Sequence, residues 1–369
     1  MRSKNIMALV FANTGDESLT ELTSFRTMGS VPFGCRYRLI DFMLSSIVNA
    51  GIYKVGVVTK RNFQSLADHV GNGWPWDLAR KKGGLCILSP YSYAEKGGVY
   101  KGKIDAIYGN LLYLENSTEE YVLITDSDFV VNADIDKMIE RHAQTNADIT
   151  VAYKSGIEGK TFIELDGDKR ISAITVESEQ PEMGRNVIVP MFLMRRDLLI
   201  TLVKNAYRHN YIDFELDILQ REINNYKIYG FEIKGDAMLI NSIQSYFDAN
   251  MMLLNKDFRD KLFEPTRPVF TKLRDDMPTR YGYDAKIKDS LIADGCVIEG
   301  EVSNSIIFRG VHIEKGCKVE NCILMQSAHV GKNSTLAYVV SDKNVSIKEG
   351  RTLIGFKTFP LVIGKGLSV

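Results

Sequence analysis

The sequence predicts an α/β domain with a Rossmann-like layered sheet, followed by a C-terminal left-handed parallel β-helix of hexapeptide repeats. Two observations carry this prediction. Strand-like and helix-like segments alternate up to residue 255, and from residue 285 an aliphatic residue recurs about every six positions. Strand–helix alternation favours parallel pairing with right-handed crossovers. A period of six is typical of coils that bury their apolar side chains only by stacking.

The first strand is predicted at Ile6–Phe11, an apolar run that suits a strand buried on both faces. In α/β folds the loop after such a strand binds phosphates through backbone N–H groups. Here that loop, residues 12–19, contains one glycine, Gly15, no Lys or Arg, and two adjacent acids, Asp16 and Glu17. Like charges in a partly dehydrated cleft would oppose an anion by about 1 kcal/mol or more. The loop is therefore poorly suited to hold a triphosphate.

Further strands are predicted at 53–59, 121–125 and 148–153, with helices at 62–70 and 134–145. Asn62 is the expected N-cap of the first of these helices. The second places an apolar face on one side, formed by Ile135, Met138, Ile139 and His142.

Two carboxylates, Asp126 and Asp128, come directly after the 121–125 strand. Ligands in open α/β sheets bind at the carboxyl ends of the strands. Asp128 is therefore expected where chemistry would occur.

The predicted organisation is an α/β domain over 1–255, an extended linker over 256–284 and a β-helix over 285–369. The linker holds three of the nine prolines, Pro265, Pro268 and Pro278, and proline favours extended or turn structure. The phrases I-A-D-G, I-E-K-G and I-K-E-G at 292, 313 and 347 mark similar coil corners. The alternative, a two-layer sandwich, would need alternation of period two and hairpin turns, which are largely missing.

The composition excludes several classes of protein. The 46 basic and 46 acidic residues balance, which argues against nucleic acid or an anionic membrane as a partner. The five cysteines contain no C-x-x-C pair, so they are expected to be thiols in a reducing compartment, without a disulfide framework or zinc site. The first apolar run is too short for a signal peptide or membrane span. A cytoplasmic location is expected.

Four phrases of the chain carry a family resemblance. Residues 36–42, R-Y-R-L-I-D-F, resemble the motif K-[YF]-R-I-I-D-F, and 56–59, G-V-V-T, resemble G-V-[IL]-T. Residues 102–106, G-K-I-D-A, resemble G-T-A-D-A, and 245–251, S-Y-F-D-A-N-M, resemble S-Y-[WY]-E-A-N-M. These motifs are those of the ADP-glucose pyrophosphorylase (glucose-1-phosphate adenylyltransferase) family. The resemblance implies a nucleotidyltransferase domain of the GT-A-like type.

The chain departs from this family where phosphates are held. The family loop L-A-G-G-x-G-T-R-L reads F-A-N-T-G-D-E-S-L at 11–19, and the lysine of the family motif K-P-A-V falls at Met28. The sugar-phosphate motif E-K-P is not recognisable in residues 174–181. Residues 213–217, D-F-E-L-D, keep the acids of D-F-G-K-D, so Asp213 stays a pocket candidate.

The family also implies Mg²⁺, which neutralises the transferred phosphates. Of its two carboxylate ligands, the first corresponds to Asp128 and the second falls at Leu239. A leucine cannot bind Mg²⁺, so the resemblance leaves Asp128 as a vestigial metal position and argues against the cofactor here. A rearranged D-x-D pair of Asp126 and Asp128 is the alternative, although the match makes Asp126 a structural residue.

The remaining candidates each have two interpretations. Gly15, Arg36 and Arg38 are candidates for a nucleotide or sugar-phosphate pocket, but both arginines could equally pair with Asp41 and Asp128. Asp105 is expected to cap the helix near Ala106, with substrate contact as the alternative. Packing is the preferred interpretation for Trp74, Trp76 and His142, and solvent exposure for His209. His69, His312 and His329 lack a second ligand at metal spacing.

Residues that the family uses for phosphate and metal binding are absent at several separate positions. This pattern indicates a chain that keeps the fold without the full chemistry. The resemblance therefore implies a catalytically weak GlgD-type subunit that joins a catalytic GlgC-type subunit in a heterotetramer, in the synthesis of ADP-glucose for glycogen. Association with a second copy of this chain is the other partnership that it leaves open. One alternative is an active sugar nucleotidyltransferase with rearranged ligands. Another is a non-catalytic scaffold that senses a sugar phosphate or nucleotide.

Overall fold

The computed structural model describes residues 3–90, 100–176 and 184–369. The chain forms two compact units that interleave along the sequence. The first comprises Met1–Thr14, Phe42–Leu239 and Pro265–Phe270, and the second comprises Gly15–Asp41, Ile240–Glu264 and Thr271–Val369. The continuous domains with boundaries at 255 and 284 stay a prediction.

Elements are numbered along the whole chain. The helices are α1 (Thr20–Thr23), α2 (Leu39–Asn49), α3 (Gln64–Val70), α4 (Lys103–Gly109), α5 (Leu111–Glu115), α6 (Ile135–Thr145), α7 (Arg196–Arg208), α8 (Ile243–Met252) and α9 (Lys256–Leu262). The strands before the coils are β1 (Ile6–Phe11), β2 (Pro32–Phe33), β3 (Tyr37–Arg38), β4 (Lys54–Val58), β5 (Gly84–Leu88), β6 (Tyr121–Asp126), β7 (Phe129–Val130), β8 (Ile149–Ser155), β9 (Thr161–Leu165), β10 (Ile171–Val176), β11 (Asn186–Arg195), β12 (Ile228–Glu232) and β13 (Met238–Leu239).

The first unit is built on a mixed sheet in the order β10-β9-β11-β6-β1-β4-β5; off this path, β8 pairs with β11, and β12 pairs with β8. Strands β6, β1, β4 and β5 pair in parallel, as the strand–helix alternation predicts. Strand β11 runs antiparallel to both β6 and β8, so the prediction of parallel pairing holds for only part of the sheet. Strand β1 is buried at every residue, which explains its uninterrupted apolar run.

Helix α6 shows how local patterning positions an element. Its buried residues are those of the predicted face, Ile135, Met138, Ile139 and His142. The Nδ1 atom of His142 lies 2.8 Å from the Thr150 hydroxyl, so this histidine is a core residue, as predicted. Helix α3 begins at Gln64 with Phe63 as its N-cap, and Asn62 has a left-handed φ of 54°. The prediction that Asn62 caps this helix is therefore wrong, because its backbone turns the chain before the helix begins.

In the second unit, the 245–251 phrase contacts the segment just before the 36–42 phrase. The side-chain oxygen of Asn250 in α8 accepts a hydrogen bond from the backbone N–H of Gly34, and the Tyr246 hydroxyl donates to the Pro32 carbonyl. Both side chains are fully buried. Helix α8 begins with a capping box in which Ser242 and Ser245 satisfy each other's backbone N–H groups. The 245–251 phrase therefore fastens the segment that precedes the 36–42 phrase.

Fifteen short strands follow: β14 (Arg280–Tyr281), β15 (Lys286–Lys288), β16 (Leu291–Ile292), β17 (Val297–Ile298), β18 (Glu301–Ser303), β19 (Ile306–Ile307), β20 (His312–Ile313), β21 (Lys318–Glu320), β22 (Ile323–Leu324), β23 (His329–Val330), β24 (Thr335–Ala337), β25 (Val339–Ser341), β26 (Ser346–Ile347), β27 (Thr352–Ile354) and β28 (Leu361–Ile363).

These strands form three parallel five-stranded sheets in which every third strand is a neighbour, which is the predicted left-handed β-helix. Val302, Val319 and Leu336 pair in register along one sheet, and all three are buried. At one corner, Asn304 and Asn321 adopt left-handed φ angles and hydrogen-bond through their side chains. Stacking thus buries an apolar column that a single coil could not bury.

The segment predicted as an extended linker, 256–284, is only partly extended. Residues 256–262 form helix α9 and residues 280–281 form β14, whereas no helix or strand occurs over 263–279. Along the described part of the chain, every helix is too short or too polar to cross a lipid bilayer.

Candidate active site

The candidate active site of the first unit lies at the carboxyl ends of β1 and β6. Asp126 is the last residue of β6 and pairs in register with Phe11, the last residue of β1. Asp128 follows two residues later, immediately before β7, and both carboxylates are buried. The structure therefore places Asp128 at the strand ends, where the sequence predicts chemistry, with Asp126 beside it.

A lysine that the sequence reasoning did not select lies between these acids and a third. The Lys103 ammonium is 3.1 Å from Oδ2 of Asp126 and 3.1 Å from Oε1 of Glu215. It also lies over the rings of Phe11 and Phe192, at 5.7 and 5.5 Å from their centroids. The Lys103 side chain is only 11% exposed, so these are interactions of a desolvated cation.

The residue before Lys103 explains how Glu215 comes so close. A Cβ added to Gly102 would lie 2.5 Å from the Ile212 carbonyl oxygen, so only glycine lets these two backbones approach. The turn at residues 212–217 is held by its own acids. Asp217 accepts hydrogen bonds from the backbone N–H groups of Ile212 and Asp213, and Asp213 accepts one from the N–H of Leu216. Asp213 is therefore engaged within the turn.

The charges of the site are strongly coupled. Burial lowers the pKa of Lys103, but the Asp126 and Glu215 carboxylates outweigh it and raise that pKa above its ordinary value. Burial raises the pKa of Asp126 to about 6, against the opposing effect of Lys103. Burial and the neighbouring Asp126 raise the pKa of Asp128 well above its ordinary value, which favours its neutral form.

The residues present do not fit Mg²⁺. The cation prefers an octahedron of oxygen ligands, yet one oxygen of Asp126 already pairs with an ammonium. Strand β13 pairs with β7 so that Leu239 lies opposite Phe129, next to Asp128, and leucine supplies no ligand there. Within residues 3–90, 100–176 and 184–369, no group of three or more His, Cys, Asp or Glu side chains could hold a metal ion.

The first loop is held by its own side chains. In the first unit, the Asn13 side chain accepts a hydrogen bond from the backbone N–H of Lys60 at 2.6 Å. In the second unit, Gly15 has a φ of 79°, and Oδ1 of Asp16 accepts from the backbone N–H of Met28 at 2.7 Å. Glu17 is exposed. The Asp16 carboxylate therefore takes up a backbone donor that could otherwise face an anion.

The other predicted pocket residues lie as follows. Asp105 lies inside the first turn of α4, whose N-cap is Gly102, and no side chain among the described residues caps that helix. The prediction that Asp105 is the cap is therefore wrong, and its carboxylate instead accepts from the backbone N–H of Lys101, which precedes the helix. Arg36 is exposed and Arg38 is half-buried. The backbone N–H of Arg38 donates to the buried carboxylate of Asp41, which favours a structural role for Asp41.

Two side predictions have mixed outcomes. Trp76 is buried as predicted, but Trp74 is 68% exposed. His209 is exposed, as predicted. Most of the segment 174–181, in which the sequence shows no recognisable E-K-P motif, lies outside the described residues.

The sequence did contain a signal for Lys103. In the phrase G-K-I-D-A it stands where the family motif has threonine, and a new positive charge beside a carboxylate-rich site is unusual. Glu215 carried a comparable signal, because it stands where D-F-G-K-D has glycine.

Comparison with known proteins agrees with this architecture. The nucleotidyl transferase family model matches residues 15–256, and the GlmU-like C-terminal hexapeptide model matches residues 276–358. The chain is 34% identical over 368 residues to the glycogen biosynthesis protein GlgD of Bacillus subtilis (strain 168), covering 100% of this chain and 98% of that protein. It is 33% identical to a glucose-1-phosphate adenylyltransferase of Clostridium perfringens (strain SM101), covering 89% of this chain and 87% of that protein.

The α/β sheet with acids at its strand ends, joined in one chain to a hexapeptide coil, is thus the architecture of the nucleotidyl transferase family. More narrowly, the chain belongs to the glucose-1-phosphate adenylyltransferase family and is of the GlgD type, as its motifs predict. Its role is that of a nucleotidyltransferase-family protein of glycogen biosynthesis.

Proposed function

We propose that this chain is a GlgD-type subunit of glucose-1-phosphate adenylyltransferase with little or no turnover of its own. It associates with a catalytic GlgC-type subunit and modulates that subunit's conversion of ATP and glucose 1-phosphate to ADP-glucose and pyrophosphate. The observation that carries the proposal is the pairing of β7 with β13, which sets Leu239 beside Asp128 where the reaction needs a second carboxylate.

The first loop supports the same proposal. Phosphoryl and nucleotidyl transfer depend on backbone N–H groups and cations that face the phosphates. Here the Met28 N–H donates to Asp16, and the Lys60 N–H donates to Asn13. Donors that are already satisfied by protein oxygens add little to the binding of a triphosphate.

The last coil of the β-helix supports assembly. Ile354, Phe356 and Phe359 are 58%, 70% and 78% exposed and lie close together in sequence. Exposed apolar clusters of this kind mark surfaces that other chains cover. We therefore expect this coil to contribute to contact with the catalytic subunit.

The test is co-expression with a catalytic subunit, followed by assays with ATP, glucose 1-phosphate and Mg²⁺. The chain alone should turn over at least 100-fold more slowly than an ordinary enzyme of about 10 s⁻¹. The mixed complex should differ from the catalytic subunit alone in kcat or effector response. A turnover near 10 s⁻¹ for the pure chain would contradict the proposal, and so would identical kinetics with and without it.

The assembly step has a matched control. Replacing Phe356 and Phe359 together by serine should reduce formation of the complex in light scattering. Phe25 is also 65% exposed but lies outside the coil, so Phe25→Ser should leave assembly unchanged. Equal assembly of both variants would remove this coil from the interface.

The non-catalytic sensor remains the second candidate, because buried oxygens of Asp126 and Asp128 have no hydrogen-bond partner among the described residues. Calorimetric titration of the pure chain with glucose 1-phosphate distinguishes it. Heat of binding without turnover favours the sensor, and no heat in that titration removes it.

A further inference from the structure

Lys103 is the one feature of the site that the proposed function does not require. A subunit can lose activity by losing ligands, without acquiring a buried cation. Here the ammonium is held at 3.1 Å by two carboxylates from different parts of the chain, Asp126 at the end of β6 and Glu215 after α7. A buried charge is costly unless it is paired, so this arrangement must be mutually compensating.

The position of the ammonium determines what else can enter. A divalent ion bound to Asp126 would lie within a few ångströms of a positive charge in a site of low dielectric, where like charges repel strongly. Two further carboxylate oxygens, Oδ1 of Asp126 and Oδ1 of Asp128, are buried and have no hydrogen-bond partner among the described residues. These two oxygens are the ones that a bound cation would otherwise contact.

We propose that the Lys103 ammonium is the resident cation of this site, taking the place of a divalent metal by neutralising Asp126 and joining it to Glu215. The strand end therefore keeps its geometry without metal. Removal of the ammonium leaves the acids Asp126, Asp128 and Glu215 without their resident positive charge, and an added divalent cation can then neutralise them, although they form no metal site in the wild-type chain.

This inference concerns the same site as the proposed function, but it is tested without any measurement of activity. The probe is MnCl₂, followed by the electron paramagnetic resonance signal of free Mn²⁺ and by thermal unfolding. For the full-length wild type, Mn²⁺ at about 1 mM, enough to occupy a weak carboxylate site, should leave the free-ion signal and Tm unchanged. Mn²⁺ binding that Asp128→Asn abolishes would overturn the inference.

The variant Lys103→Met keeps an unbranched side chain only one atom shorter and removes its charge. Without metal its Tm should fall by roughly 5–10 °C, because the buried Asp126 carboxylate and the half-buried Glu215 carboxylate lose their counterion. Added Mn²⁺ should raise that Tm and reduce the free-ion signal, and a second change, Asp128→Asn, should cancel the gain. A metal-free Tm equal to wild type would overturn the inference.

Lys204→Met is the matched control. Lys204 pairs with Glu115 at 2.7 Å, but its side chain is 43% exposed, so its loss should leave Tm and Mn²⁺ binding unchanged. If Lys103→Met does not fold, the wild-type Mn²⁺ titration decides alone. If the wild-type chain turned over substrate at an ordinary rate but bound no Mn²⁺ in the titration, the proposed function would be refuted and this inference would stand.

Discussion

The carboxylate of Asp16 accepts a hydrogen bond from the backbone N–H of Met28 at 2.7 Å. These are two of the positions where the sequence departs from its family, one in the first loop and one at the phosphate lysine. The two departures are thus physically connected in the second unit. The Asp16 carbonyl also accepts from the Thr23 hydroxyl at 2.6 Å, so the loop is tied at both its side chain and its backbone.

Asp16→Ala is therefore expected to destabilise the chain. It removes a charge-assisted acceptor from a half-buried N–H, which should cost about 1–2 kcal/mol. Asp16→Asn retains a side-chain oxygen and should recover most of that loss. Urea unfolding of the three proteins provides the measurement. Equal midpoints for Asp16→Ala and wild type would show that the bond contributes nothing.

A buried ion pair in the second unit should matter far more than a surface pair. Arg26 and Asp342 are 2.9 Å apart, and both side chains are 2% exposed. Arg26→Met leaves a buried carboxylate uncompensated and should cost about 3–5 kcal/mol. Replacing both residues, as Arg26→Met with Asp342→Leu, should restore part of that stability, which thermal unfolding measures.

Lys286 and Glu301 supply the control for this pair. Their ammonium and carboxylate are 2.7 Å apart, but the side chains are 77% and 46% exposed. Lys286→Ala should therefore leave the stability almost unchanged. Similar losses for Arg26→Met and Lys286→Ala would mean that burial does not set the strength of these pairs.

Residues with a local pattern were predicted best. The periodicity of 135–145 identified every buried residue of α6, and the six-residue spacing identified the β-helix, because both depend on neighbours in sequence. Contacts between distant residues were not predictable in this way. Gly34 and Asn250 are 216 positions apart, and Lys103 and Glu215 are 112 apart. Their proximity depends on backbone packing, such as the approach of Ile212 to Gly102.

The buried histidine of α6 should make stability depend on pH. Burial lowers the pKa of His142 to about 4, from 6.5 in the unfolded chain. Between these values the unfolded chain takes up a proton that the folded chain does not. The stabilisation that depends on a neutral His142 is therefore fully present above pH 6.5. It is lost as the pH falls toward 4, by about 3 kcal/mol in all.

His142→Gln should flatten this dependence, because glutamine does not titrate and can still hydrogen-bond to Thr150. The measurement is the free energy of unfolding at several pH values between 4 and 7 for both proteins. The two curves should converge at low pH relative to their separation near neutrality. Parallel curves over this range would show that His142 is not the group responsible.

Glycine in the β-helix is required where coils approach each other, even without a left-handed backbone. A Cβ added to Gly331 would lie 2.7 Å from the Glu349 nitrogen and 2.9 Å from the Ile347 oxygen. Gly331 also donates its N–H to Ile347 at 2.8 Å, so the two backbones cannot separate without losing this bond. Gly331→Ala should cost about 1–3 kcal/mol through this overpacking.

Gly364 supplies the control. At Gly364 the nearest atom to an added Cβ would be a flexible Leu367 methyl at 3.5 Å, so Gly364→Ala should be tolerated. Thermal unfolding of both variants measures the difference, and equal Tm values would show that the coils can separate to admit a methyl group.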